Sequence, residues 1–358
     1  MLVSMASALA AAGVFENFWH WTVEYARAYA GILTLSQGLG YLLETAKALW
    51  AAAPGLWSLA ALGFALLWFE PTLRQWRFFL VLLAAFSTVG VCPGFYFRNH
   101  YFLLVVPAAS LLCGAAWCAW TRSAGRFLGF ATRKAGIKNA PLVEWTKKPG
   151  FAIAAVGTFG GLFLLAVGQS LAISADIFFR LTPEQVCRRI YNANPFPESV
   201  EIARYLAAHS SPEARIAVLG SEPQIYFYSH RRAATGYIYT YPLMEAQAFA
   251  TEMQRDMIRE IEQAAPEYLI YVSAPSSWMQ RTDSDLTIFG WSQHYCQEHM
   301  ELDVLVETFP DFHSEFHRGM ADRIVQPRTD HWIAIYKRKP SRGPITIHLK
   351  NSALLLPR

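Results

Sequence analysis

The chain has 358 residues, 53% of them hydrophobic and 16% charged, with a formal net charge of +4 at pH 7. The charge is unevenly placed: residues 1–175 carry 12 Lys/Arg against 5 Asp/Glu, and residues 176–358 carry 19 against 22. A basic excess confined to the apolar half excludes a nucleic-acid-binding protein and points to a membrane segment followed by a water-facing domain.

In chain order, apolar runs stand at about 1–14, 54–69, 78–93, 101–120 and 150–175. A spanning helix needs about 20 apolar residues. The last two runs have that length, and those at 54–69 and 78–93 reach it with their flanking aromatics. The first carries Ala8-Leu9-Ala10, which has the form of a cleavage site, but lacks the basic start of a secretion signal. It therefore reads as a membrane helix. The loop 70–77 holds Arg74 and Arg77. The loop 121–149 holds Arg122, Arg126, Arg133, Lys134, Lys138, Lys147 and Lys148 against Glu144. Basic loops stay in the cytoplasm, which places 15–53, 94–100 and everything after 175 outside. The expectation for 1–175 is an α-helical transmembrane bundle of about five spans in a multi-pass plasma (inner) membrane protein.

Within 15–53, the stretch Phe18-Trp19-His20-Trp21-Thr22-Val23-Glu24-Tyr25-Ala26-Arg27-Ala28-Tyr29 is dense in Trp and Tyr, residues that favour the headgroup zone. One or two amphipathic helices on the outer surface are expected. His20, Glu24 and Arg27 recur at i, i+4 and i+7, so one helical face either carries an outer groove or merely anchors the segment.

The turn Cys92-Pro93-Gly94-Phe95-Tyr96-Phe97-Arg98-Asn99-His100-Tyr101-Phe102 separates two apolar runs. Arg98, Asn99 and His100 then sit where lipid meets water. A guanidinium there either grips a lipid phosphate with its planar fork or snorkels to the headgroups.

Residues 176–340 alternate helical and extended patterns, which predicts an α/β domain with a small, largely parallel sheet. Strands are expected at 215–219, 268–272, 302–308 and 331–337. Helices are expected after Pro195, from Glu222 to Tyr228, from Pro242 onward and over 285–299. Residues 310–330 read as loop and 341–358 as a frayed tail. Gly220-Ser221-Glu222-Pro223 is either a plain strand-to-helix turn or a ligand loop at the end of the first strand. Tyr237, Tyr239 and Tyr241 alternate, which predicts a strand with one aromatic face, for docking or for stacking on a sugar. Neither His313/Glu315/His317 nor His294/Cys296/His299 has a zinc spacing, so no metal is expected. No phosphate loop or Gly-x-Ser-x-Gly elbow occurs, and no cofactor is expected. Cys187 and Cys296 either pair or stay free.

The Cys92–Phe102 turn followed by Leu103-Leu104-Val105-Val106-Pro107 resembles the late membrane region of bacterial GT-C glycosyltransferases, the relatives of dolichyl-phosphate-mannose–protein mannosyltransferases and aminoarabinose transferases. The runs Asn194-Pro195-Phe196-Pro197-Glu198 and Gly220-Ser221-Glu222-Pro223-Gln224 look like a bacterial subgroup of that family. The resemblance implies a membrane enzyme that moves a sugar from a polyprenyl-phosphate carrier to a glycan, lipid or protein outside the cytoplasm. In that setting Arg98 would hold the donor phosphate, assisted by Tyr96, Asn99 and His100. Such enzymes carry a catalytic acid in an early outer loop. Here no Asp precedes residue 176, and the outer-loop acids are Glu16, Glu24 and Glu44. The chain therefore reads as the C-terminal portion of such an enzyme, inactive alone, with Glu24 the candidate base if one is present. The alternative is a non-catalytic membrane protein whose outer α/β domain binds a partner or glycan.

Overall fold

A computed structural model describes residues 2–134, 149–320 and 326–340. Of the expected basic loop 121–149, residues 121–134 instead continue the helix that begins at Val106, and 135–148 fall outside these residues, as does the tail from 341. The chain divides into two compact units, the first closing at Thr182 and the second opening at Pro183.

The first unit is helical. It runs α1 (Leu2–Ala11), α2 (Phe15–Trp19), a π turn (His20–Glu24), α3 (Tyr25–Ala30), α4 (Leu35–Ala52), α5 (Pro54–Leu66), α6 (Arg77–Gly90), α7 (Val106–Lys134) and α8 (Pro149–Ile173). Thr34 starts α4 with a capping box: its hydroxyl accepts from the Gln37 N–H, and the Gln37 side chain accepts from the Thr34 N–H. Pro54 opens α5 after a bend of 106°. Around α5 and α7 the core consists of Ala60, Leu67, Leu73, Leu80, Leu112, Ala115 and Ala119. Gly63 lets the α5 backbone meet Leu112 of α7, and Gly55 sits where a Cβ would lie 2.7 Å from Ala166 Cβ of α8.

The expected bundle of about five spans is not what forms. Among the described residues one helix, Val156–Ile173, is long and apolar enough to cross a bilayer, or two if the bent pair α4 and α5 counts as one span. The reason is length. At 1.5 Å per residue, α5 and α6 reach only ~20 Å, against a hydrocarbon core of ~30 Å. Their runs are cut by 3₁₀ turns at Pro71–Trp76 and Pro93–Phe95, which begin at prolines. Flanking aromatics that seemed to lengthen the spans belong to these turns instead.

The second unit contains α9 (Pro183–Tyr191), α10 (Phe196–His209), β1 (Arg215–Leu219), α11 (Gln224–Ser229), β2 (Arg232–Ala233) and α12 (Tyr241–Met244). It continues through α13 (Ala250–Ala264), β3 (Tyr268–Ser273), α14 (Pro275–Trp278), α15 (Thr287–His299), β4 (Met300–Thr308), β5 (Ser314–Arg318) and β6 (Trp332–Arg338). The sheet order is β2-β1-β3-β6-β4-β5. Pairs β1/β2 and β1/β3 are parallel, while β3/β6, β6/β4 and β4/β5 are antiparallel. The sheet is thus mixed, which corrects the expectation of a largely parallel one. The pattern of apolar runs locates strands but carries no direction. Direction is decided here by β6, which returns to lie between β3 and β4.

Four of the five β1 residues, Ile216 to Leu219, are buried, as befits a strand covered on both faces. Ile216 and Val218 pack with Ile202, Leu206, Ile225, Ile270, Val304, Val306, Ile333 and Ile335. Two local expectations also change. Residues 237–240 form no strand, and β5 occupies part of the 310–330 stretch read as loop.

Candidate functional site

The turn at 93–97 is held in an unusual backbone. Gly94, Phe95 and Phe97 have φ of 73°, 57° and 42°. Bulky residues in the left-handed region are strained unless the surroundings enforce them. The enforcing contacts come from the aromatic segment. Gly38 of α4 faces Phe95, leaving room only for hydrogen: an added Cβ would lie 2.6 Å from Phe95 Cβ. Thr45 Oγ1 of α4 donates to the Phe97 carbonyl at 2.7 Å. Tyr29 of α3 stacks on Tyr96, with ring centroids 4.8 Å apart. The Arg98 guanidinium lies 5.5 Å from the Tyr96 ring centroid.

Burial pushes the Tyr29 phenol up, adjacent Tyr96 adds to this, and Arg98 pulls the other way. Tyr29 was not among the residues singled out from sequence, although its segment was. Rings continue back along the segment through Tyr25–Tyr29 at 6.2 Å and Trp21–Tyr25 at 5.7 Å.

The remaining candidates fall as follows. Arg98, Asn99 and His100 are exposed, and His100 meets Tyr101 edge-on at 4.7 Å. His20 Nδ1 lies 3.2 Å from Glu24 Oε2, so these two side chains meet. They do so on a π turn, which alters the helical phase between them and exposed Arg27. The structure therefore joins Tyr96, Arg98 and Tyr29 in one cluster and His20 with Glu24 in another pair.

In the second unit, the loop after β1 is polar and closed. Glu222 is buried and accepts from Ser277 Oγ at 2.8 Å. Ser277 Oγ in turn accepts from the Ser221 N–H at 3.0 Å, and Ser221 Oγ and Thr240 Oγ1 lie 3.0 Å apart. Burial pushes the Glu222 carboxyl up to about 7, against the opposing hydrogen bond from Ser277. The Tyr241 hydroxyl donates to the Ser276 carbonyl and Tyr237 to Asp256, so these tyrosines brace loops and do not form one strand face.

His317, Glu315 and Glu307 lie close enough to hold a metal. Arg328 already bonds both carboxylates there, with Nη2 2.7 Å from Glu307 and in contact with Glu315 as well. The guanidinium offsets part of the cluster's negative charge and holds both carboxyls below their usual range against the opposing effect of burial. Cys187 and Cys296 are both free thiols.

Sequence reasoning missed a buried ion pair, Arg188 of α9 with Glu198 of α10. Glu198 read as a helix-start acid, and nothing in the local pattern marks Arg188 as its partner. Compared with known proteins, the chain matches no family model, no curated protein and no solved structure.

Proposed function

We propose that the first unit lies in a lipid bilayer and that its Arg98 turn holds the phosphate of a polyprenyl-linked sugar, making the chain part of a membrane sugar-transfer enzyme. The carrying observation is the Tyr29–Tyr96–Arg98 cluster, set on a strained turn that α4 clamps in place. Strain of this kind concentrates at ligand sites, and an exposed planar guanidinium matches two phosphate oxygens at once.

The bilayer part of the reading is supported by how the unit packs. Its helices touch through small residues, Ala60, Gly63, Ala115 and Ala119, while Phe78, Phe86, Leu164 and Leu165 point outward at 69–78% exposure. Small inside and large outside is the arrangement of helices whose solvent is lipid. In α8 only 11% of the apolar window Val156–Ile173 is buried, unlike the core helix of a water-soluble protein.

In sugar transfer, an acceptor hydroxyl attacks the anomeric carbon and yields its proton to a carboxylate. The bond from that carbon to the phosphate oxygen breaks, and the phosphate leaves with the electron pair. Arg98 would stabilise that charge. Glu24, with His20 at 3.2 Å, is this chain's candidate base for that proton. The test is titration of the full chain in lipid nanodiscs with a polyprenyl phosphate. Arg98→Ala should weaken binding by about tenfold or more, the worth of one charge-assisted contact, and Arg98→Lys should weaken it less. Equal affinity in wild type and Arg98→Ala would overturn the reading.

A further inference from the structure

The second unit contains a cavity of about 740 Å³ between α9, α10, α11 and β5. Arg188 and Glu198 line it, together with Tyr191, Phe196, Tyr228 and Phe316. One edge of this ion pair is fully used. Arg188 Nη2 donates to Glu198 Oε1, which also accepts from Ser314 Oγ and, at 3.3 Å, from Thr308 Oγ1. The other edge is not. Arg188 Nε and Nη1 and Glu198 Oε2 are buried and find no hydrogen-bond partner among the described residues. The side chains are 10% and 1% exposed. Orphaned groups at this depth cost stability, so native proteins keep few of them without a use.

From this we infer that the cavity is a binding site for a neutral sugar, the Arg188–Glu198 pair holding two of its hydroxyl groups. The free atoms supply two donor nitrogens, with three N–H groups between them, beside one carboxylate acceptor. A carboxylate or phosphate ligand would satisfy the donors but meet Glu198, and an amine would satisfy Glu198 but meet Arg188. A hydroxyl both donates and accepts, so adjacent hydroxyls on one ring complete both sides. The wall agrees in charge: Arg188 and Arg204 stand against Glu184, Glu198 and Glu201, which leaves no surplus for an anion. Aromatic rings complete the set. Tyr191 meets Phe196 edge-on at 4.9 Å, and Tyr228 is half exposed at the cavity wall. The electron-rich ring faces suit the C–H face of a pyranose. The volume lies within the range of small-molecule sites. This inference stands on the second unit alone and does not depend on the Arg98 reading.

The experiment is saturation-transfer NMR on the full chain in detergent. Glucose, mannose and N-acetylglucosamine serve as neutral probes, and inorganic phosphate and acetate as charged ones. Three proteins are compared: wild type, Tyr228→Ala, and the double variant Arg188→Met with Glu198→Met. The double variant replaces the buried pair by apolar groups of similar length, a change that folded proteins tolerate. At least one neutral sugar should bind wild type, with saturation transfer lost in the double variant and affinity weakened about tenfold in Tyr228→Ala. Amide-exchange protection of β1 and β3 should be the same in all three. Absence of binding by every neutral sugar would overturn the inference. So would equal binding by the double variant, or displacement of the sugar by phosphate or acetate.

Discussion

Tyr29 lies almost parallel to Tyr96, with 13° between the ring planes and 4.8 Å between centroids. This one contact ties the aromatic segment near the start of the chain to the turn that carries Arg98. Together with Gly38 and Thr45 of α4, it makes the position of the guanidinium depend on α3 and α4 as well as on its own loop. Tyr29→Ala should therefore impair polyprenyl-phosphate binding although Tyr29 need not touch the ligand. The loss should be smaller than for Arg98→Ala, and Tyr29→Phe should restore most of it, as titration in nanodiscs would show.

Gly38 and Gly40 lie on the same helix and should respond in opposite ways. An alanine methyl at 38 would lie 2.6 Å from Phe95 Cβ, whereas at 40 it would meet nothing within 4 Å. Gly38→Ala is expected to cost about 1–3 kcal/mol through overpacking. Gly40→Ala should stabilise α4 by about 0.5–1 kcal/mol, because alanine loses less backbone entropy. Amide exchange over 35–52 and 93–104 separates the two outcomes.

Glu222 should make the second unit pH-dependent in a direction unusual for a carboxylate. Its carboxyl rises from 4.5 to about 7 on folding because of burial. Between those values the folded state holds a proton that the unfolded state has released. The stabilisation is complete below about 4.5 and is lost as pH rises through about 7, amounting to about 3 kcal/mol at most. Exchange protection of β1 and β3, corrected for intrinsic rates, should fall across that window in wild type. Glu222→Gln should flatten the dependence, and an unchanged slope would remove Glu222 as its source.

The Arg188–Glu198 pair predicts strong non-additivity. Glu198→Ala strands a buried guanidinium and should cost about 3–5 kcal/mol, while the paired methionine variant should be close to neutral. A double-mutant cycle read by exchange at β1 measures the coupling. Additive single and double effects would contradict the buried geometry.

Ala265 caps α13 in the left-handed conformation, with φ of 44°, and its N–H donates to the Ile261 carbonyl at 3.0 Å. Glycine adopts this conformation without steric cost. Ala265→Gly should stabilise the second unit by about 1 kcal/mol, visible as slower exchange along 250–264.

Several elements were legible because their signals are local. Ile216 to Leu219 and Tyr268 to Val272 are unbroken apolar runs, and such runs become covered strands wherever a two-sided core exists. The face of α13 could be read from Met253, Met257 and Ile261 at helical spacing, and all three are buried. β5 escaped notice because Ser314-Glu315-Phe316-His317-Arg318 alternates only weakly, and its place comes from pairing with β4. The tyrosines at 237, 239 and 241 alternated like a strand, yet 237 and 239 lie in a loop and 241 opens α12, with Tyr237 bonded to Asp256 and Tyr241 to the Ser276 carbonyl. At the site, the sequence brought attention to Arg98 and Tyr96, but stacking by Tyr29 and clamping by Gly38 arise from residues far along the chain.

By itself the sequence determined most strands and helices of the second unit, which segments are apolar, and that the two halves of the chain differ in chemistry. Those properties follow from spacing, capping and side-chain polarity over a few turns of backbone. The tertiary structure alone decided that β6 runs antiparallel between β3 and β4, that Tyr29 stacks on Tyr96, and that Arg188 meets Glu198. Each of these depends on which distant surfaces close against one another, and the free energy of that closure is carried by contacts between residues that local pattern does not link.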